Sequence, residues 1–327
     1  MAFPEDLVSK RSNWDPLNFG ALRTHSIHET TKTVGVADFA TLPHPGSSVR
    51  EFLRTFPDIL AGKVFREVVD AVVAAALDGK TVIVGMGAHL IKVGLSPVII
   101  HLMEEGVISA VAMNGAGVIH DLEIAMAGKT SEAVEEHLGE GHFGATRETA
   151  EFINTALVDG KPHGWGMGAC MGWAMAGAGL PHERVSICAA AHRLNVPLTV
   201  HVAIGTDVVH IHPSTDGGVL GEATYRDFRL FASIVSSLED GVYINLGSAV
   251  IMPEVFLKAL SAARNLGYTV NHFVTVNMDF IQHYRPVQNV VRRPTARAGR
   301  GYTLTGHHEL MVPLLAAAIL EGLASRP

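Results

Sequence analysis

Lys80-Thr-Val-Ile-Val-Gly-Met-Gly87 is the stretch that decides the fold. Thr81, Val82, Ile83 and Val84 are all β-branched and run without a charge into a glycine turn. That is the pattern of a strand buried on both faces whose end meets a ligand or another backbone. Upstream, Phe52, Phe56, Ile59, Leu60, Val64, Val68, Val69 and Val72 recur at helical spacing, predicting one helix over Arg50–Leu77 that closes at Asp78-Gly79. Downstream, a helix is expected over Leu95–Glu105, with Ser96 as cap and Pro97 in its first turn. A second strand, Val107–Met113, then enters Asn114-Gly-Ala-Gly117 and a helix over Val118–Ala127. Two strand-turn-helix units in succession predict an α/β fold. Its sheet is mainly parallel, with helices on both faces and ligand loops at the carboxyl ends of the strands.

The remaining elements extend this alternation. The polar segment 128–150 has no periodicity, and the small residues of Gly164–Gly179 read as close helix packing. A helix over Val185–Leu194, strands over Leu198–Ala203 and Val208–His212, a loop Pro213–Glu222 and a helix Tyr225–Leu238 follow. The strand Val242–Leu246 enters Gly247-Ser-Ala249, followed by a helix Val255–Leu266, a strand His272–Asn277 and a closing helix Pro313–Ala324. Residues 1–50, with Pro4, Pro16, Pro43 and Pro45, read as an irregular arm, and 51–327 as a single domain.

Composition narrows the function. With 48% hydrophobic residues and a mean hydropathy of +0.25, the chain can bury a large core. A formal charge of -7 gives no electrostatic case for nucleic acid. No apolar run has the length of a membrane span, Met1–Asn13 lacks a signal core, and Cys170 and Cys188 are the only cysteines. A cytoplasmic enzyme of a small molecule is expected. Gly85-Met-Gly87, Asn114–Gly117, Asp216-Gly-Gly218 and Gly247-Ser-Ala249 all look like turns that bring backbone N–H groups to a pyrophosphate. Asp216 reads either as a ribose-binding carboxylate or as a turn aspartate bonded to its own backbone. The chain has 18 histidines. His210 and His212 would share one strand face, as an alternative metal half-site completed by Glu222, Asp207 or His201, or as hydrogen-bonded pocket histidines.

Gly85-Met-Gly-Ala-His-Leu-Ile-Lys-Val-Gly94, Val111-Ala-Met-Asn-Gly-Ala-Gly-Val-Ile-His-Asp-Leu122, Ser214-Thr-Asp-Gly-Gly-Val-Leu-Gly-Glu222 and Leu246-Gly-Ser-Ala-Val250 together resemble deoxyhypusine synthase, in that family's motif order. The resemblance spans about residues 60–320 and implies a Rossmann-like NAD-binding fold, a homotetramer and transfer of a group from an amine. It places Gly87, Ala88, His89 and Leu90 at the cofactor phosphates, Asn114, Gly115 and Ala116 on the second turn, and Asp216 at the adenosine end. Gly247 and Ala249 fall on the third turn, and His307 near a cofactor ribose. Glu222 keeps a carboxylate where the family contacts a substrate amine. His120 replaces an acidic residue facing the cofactor, and is the expected general base.

One departure changes the expected chemistry. The family works through a lysine near the C-terminus that forms an imine, and no lysine follows Lys258 here. A guanidinium cannot substitute, because it stays protonated and is a poor nucleophile. Arg285, Arg292, Arg293, Arg297 and Arg300 stand in that region instead, either as a solvated basic loop or as an anion clamp centred on Arg292 and Arg293. Deoxyhypusine synthesis itself is therefore not expected. The expected activity is transient oxidation at bound NAD, then group transfer or elimination on a small amine or amino-acid-like, anionic substrate. The alternatives are a metal-dependent hydrolase on the same fold and a non-catalytic nucleotide-binding protein.

Overall fold

The structure, a computed structural model, describes residues 15–324. The chain divides into two compact units, Met1–Phe39 and Ala40–Pro327. The described part of the first holds three single-turn 3-10 helices, Phe19–Ala21, Ile27–Glu29 and Val36–Asp38. Local side chains close each one: Asn18 Oδ1 accepts from Gly20 N, Ser26 and Glu29 cap each other, and Asp38 accepts from Gly35 N.

The second unit is built on six strands: β1 (Val82–Met86), β2 (Ala110–Asn114), β3 (Leu198–His201), β4 (Val242–Leu246), β5 (Val274–Asp279) and β6 (Arg300–Thr305). They lie in the order β3-β2-β1-β4-β5-β6, and every pairing is parallel. This is the doubly wound Rossmann order, whose direction of winding reverses between β1 and β4. The expected α/β class is the class of the structure. Thirteen helices follow in chain order: α1 (Val49–Arg54), α2 (Leu60–Leu77), α3 (His89–Lys92), α4 (Ser96–Glu104), α5 (Gly115–Ala127), α6 (Val134–His137), α7 (Arg147–Gly160), α8 (Met167–Gly177), α9 (Ile187–Arg193), α10 (Gly217–Ser236), α11 (Ile251–Asn265), α12 (Tyr284–Pro286) with a π-helical extension Val287–Arg292, and α13 (His308–Ala324). No helix among the described residues is long and apolar enough to cross a membrane.

The period-two alternation of β1 splits the core. Val82, Val84 and Met86 pack with α2, α4, α5, α9 and α13, whereas Ile83 packs with Phe231 of α10, Phe256 and Leu260 of α11, and Val290. Both faces are thus covered, which is why β1 is apolar throughout. The glycines of α8 serve close packing, as expected. A Cβ on Gly168 would lie 1.9 Å from the Leu198 carbonyl oxygen, and one on Gly172 2.9 Å from that of Cys188.

Several sequence expectations are corrected. The single helix over Arg50–Leu77 is two, because Pro57 has no amide to donate and restricts Phe56 before it. Ser96 is the first helical residue, not a cap, and Leu95 precedes it without a side-chain bond. Asn114–Gly117 is no separate turn, since α5 starts at Gly115. Likewise α10 starts at Gly217 rather than Tyr225, so Glu222 is helical. Val208–Ile211 is a 3-10 turn rather than a strand. Both α7 and β6 appear where no element was expected.

Candidate functional site at the switch point of the sheet

The carboxyl ends of β1, β4, β5 and β6 are joined sideways by backbone bonds. Gly87 N donates to Leu246 O at 2.9 Å, Gly247 N to Met278 O at 3.1 Å, and Gly306 N to Asp279 O at 3.2 Å. Two of these glycines are required by space. A Cβ at Gly87 would lie 2.5 Å from the Gly247 carbonyl oxygen, and one at Gly247 2.8 Å from His308 Cε1. Gly247 also has φ +64, in the left-handed region.

Aromatic and imidazole rings surround this seam. His308 opens α13 and is 1% exposed, with Nε2 3.1 Å from Met278 O. A carbonyl only accepts, so Nε2 holds the proton and Nδ1 presents a bare lone pair. That Nδ1 is buried and has no partner. The His89 ring lies 5.6 Å from His308 and 6.0 Å from Phe280, and Phe280 stacks on His307 at 6.1 Å. Burial holds the His89 pKa below its ordinary value, which favours the neutral imidazole. Asp279 is fixed by accepting from Phe280 N at 2.8 Å, and its carboxylate stands 4.0 Å from His308 Nε2. Leu90 is fully buried against Gly247 and is a packing residue.

The other end of the crevice is closed by the protein's own carboxylate. Asn114 Oδ1 accepts from Gly117 N at 3.2 Å, and the Asp207 carboxyl group lies against the first turn of α5. A Cβ at Gly115 would lie 2.1 Å from Asp207 Oδ2. The positive end of α5 is thus already faced by the protein's own carboxyl group. His210 Nδ1 accepts from Gly205 N and Asp207 N at 3.0 and 3.2 Å, which leaves its proton on Nε2, 3.8 Å from Asp207 Oδ2. His212 Nδ1 is engaged by Ser214. His210 and His212 therefore serve their own loop and share no strand face. Among the described residues, no three His, Cys, Asp or Glu side chains could hold a metal ion together.

The remaining candidates lie apart from the ring cluster. His120 Nδ1 bonds Thr130 Oγ1 at 2.6 Å, and Thr130 donates to Glu123 at 2.5 Å. Asp216 caps α10 through Gly218 N and Val219 N at 2.8 and 3.1 Å. Glu222 pairs with Arg226 at 2.5 Å and Lys161 at 3.8 Å. Arg293 bonds Asn289 at 2.7 Å, and Arg285 pairs with Glu254 at 3.5 Å. The five arginines are strung along the crossover from the carboxyl end of β5 to the amino end of β6, and Arg292 is exposed on it. Ala88 precedes α3, and Ala249 lies in the turn before α11.

The structure thus gathers Gly87, His89, Leu90, Gly247 and His307 from the sequence candidates, and adds Asp279, Phe280 and His308. The pair Asp279-Phe280 was hidden because the strand was expected to stop at Asn277. His308 carries no signal of its own in the sequence, because its burial is a product of the fold.

No family profile matches the chain, and no curated protein is significantly similar to it. The ternary complex of AgrE with ornithine and NAD+ is similar over 81% of this chain and 34% of that chain, at 16% identity and a TM-score of 0.54. A conserved putative LOR/SDH protein from Methanococcus maripaludis S2 is similar over 81% of this chain and 71% of that one, at 18% identity and a TM-score of 0.50. This chain spans about a third of AgrE, and likeness at these identities establishes the fold.

Proposed function

We propose that the chain is an NAD-dependent enzyme that acts at the β1–β4 switch point on a small amine or amino-acid-like substrate. The observation that carries this is the cluster at the carboxyl ends of β1, β4 and β5, where the tight Gly87 and Gly247 turns meet the rings of His89, Phe280 and His307 and a buried, unpartnered nitrogen of His308. That AgrE was crystallised with ornithine and NAD+ supports the same reading.

The residues present fit a dinucleotide. The Gly87-Ala88-His89 turn exposes backbone to a pyrophosphate, and Lys92 at the end of α3 offers a cation. Gly247 gives its side-chain space to His308, and the exposed rings of Phe280 and His307 beside it offer a face on which a flat ring can stack. His308 Nδ1 can accept one N–H from a carboxamide or an amine. When bound, NAD supplies an acceptor for two electrons from a carbon bearing nitrogen or oxygen, which activates neighbouring bonds for transfer or elimination. Neutral His89 is the group placed to take a proton from the substrate, and Asp279 beside it holds an ammonium in place. His120, the base expected from sequence, stays tied to Thr130 and Glu123 on the β2 side, so we assign proton handling to His89. Glu222, Arg292 and Arg293 are likewise left outside the proposed reaction centre.

The test is calorimetric titration with NAD+ of wild type, Gly247→Ala and Gly267→Ala. Both glycines have positive φ, but Gly267 has open space around it. Gly267→Ala should cost about 1–2 kcal/mol of stability from backbone strain, and Gly247→Ala more, because its Cβ would also crowd buried His308. Only Gly247→Ala should weaken NAD+, by at least about tenfold, or roughly 1.4 kcal/mol. Equal affinity in all three proteins would remove the switch point as the cofactor site.

A further inference from the structure

The arginine-rich crossover and a groove at the opposite edge of the sheet are complementary, and neither is absorbed by the proposed reaction. The groove lies between α7 and α8, beside edge strand β3, and encloses about 550 Å³. Phe152 and Trp173 form its apolar floor, with Trp173 46% exposed, and Glu148, Glu151 and Asp159 line it as well. Arg147 pairs with Glu148 at 2.7 Å, and neither Glu151 nor Asp159 has an ion pair within 4.0 Å among the described residues. The crossover leads into β6, the other edge strand. Arg292 and Arg297 on it are exposed and make no ion pair among the described residues, and no carboxylate lies between Arg285 and Arg300 in sequence. Six strands about 4.8 Å apart separate the two surfaces by roughly 24 Å within one chain. They cannot neutralise each other internally.

We propose that the crossover of one copy docks in the α7–α8 groove of a second copy. Guanidinium groups suit this occupancy on two counts: they stack on an indole face, and they pair with carboxylates through a planar fork. Arg292 and Arg297 are five apart and both exposed, with Arg293 and Ala296 exposed between them, so the loop presents guanidinium groups around a small apolar side chain. Because the two surfaces differ, each copy offers one donor loop and one acceptor groove. The contact involves no cofactor and stands whether or not NAD binds.

Sedimentation velocity on the full chain tests it by charge exchange. Wild type should self-associate at roughly 50 mM salt and weaken strongly at roughly 500 mM, where exposed charges are screened. Arg292→Glu with Arg297→Glu should weaken association at least about tenfold, as should Glu151→Lys with Asp159→Lys, because each places like charges opposite one another. An equimolar mixture of the two double variants should associate again, since each then offers the other an opposite charge. All four positions are on the surface, so unchanged melting curves confirm folding. A monomeric wild type at low salt, association indifferent to either reversal, or a mixture that fails to associate would each overturn the proposal.

Discussion

The two halves of the sheet treat positive helix ends in opposite ways. On the β2–β3 side, a buried carboxyl group from another element sits at the N-termini of α5, α8 and α9. Asp207 lies against Gly115 of α5, Asp227 accepts from Gly168 N of α8 at 2.8 Å, and Asp121 accepts from Ile187 N and Cys188 N of α9 at 2.9 and 3.0 Å. On the β4–β6 side no carboxylate plays that part. Ser248 alone bonds the first turn of α11, and α13 opens with a histidine whose Nδ1 has no partner. A positive helix end favours an anion whichever molecule supplies it. One half met that demand during folding and became scaffold. The other left a buried polar atom unsatisfied, at a cost that a ligand can remove.

The largest effect should come from breaking the scaffold half. Asp227 is 1% exposed and accepts from the amides of Gly168 and Val200, both at 2.8 Å. Asp227→Ala strands these donors in the core and should cost about 3–5 kcal/mol in urea denaturation. The pH dependence has a defined sign. Burial pushes the Asp227 carboxyl up to about 7, far above its ordinary value. Between about pH 4 and pH 7 the folded chain keeps a proton that the unfolded chain has released, so this group's contribution to stability falls as pH rises through that window. Asp227→Asn carries no titrating proton and should flatten the slope there. A slope identical to wild type would show that the carboxyl titrates normally.

The same division explains what could be read from sequence. Strands β1 and β4 were legible because burial on both faces leaves a continuous apolar run, and the turns after them because nothing but glycine fits there. Strand β6 was not legible: in Arg300-Gly-Tyr-Thr-Leu-Thr305 only Leu304 is buried, since β6 is an edge. The apolar run Val208-Val209-His210-Ile211 misled for the reverse reason. It looks like a strand, but His210 takes two backbone amides and turns the chain. The histidine seam was half legible. Residue types showed His89 and His307, whereas the burial of His308 and the approach of Asp279 are decided by β5 and α13 meeting in space.

A medium effect should come from the open half. In His308→Leu the bond to Met278 O is lost, about 1 kcal/mol, but the unpartnered Nδ1 disappears with it, which offsets about as much. Stability without ligand should therefore change by less than about 1 kcal/mol, while NAD+ affinity should fall by roughly tenfold. This separation distinguishes a residue kept for a ligand from one kept for the fold. A large stability loss with unchanged affinity would move His308 into the scaffold.

The smallest effect, and the sharpest for the family resemblance, belongs to Asp216. The resemblance places it at the adenosine end of the cofactor. In the structure its carboxylate caps α10, and the two amides of Gly218 and Val219 engage one oxygen, Oδ1. As a cap alone, Asp216→Ala should cost about 1 kcal/mol of stability, and Asp216→Asn almost nothing, because an amide oxygen caps nearly as well. Neither change should alter NAD+ affinity. The second carboxylate oxygen is nevertheless left for another partner, and a ribose would engage it through hydroxyl donors that Asn serves less well. If Asp216→Asn keeps full stability yet binds NAD+ at least about tenfold more weakly, Asp216 holds a ribose as well as a helix. The open half of the crevice would then reach past Asp207 to α10, and the contrast between the two halves would narrow accordingly.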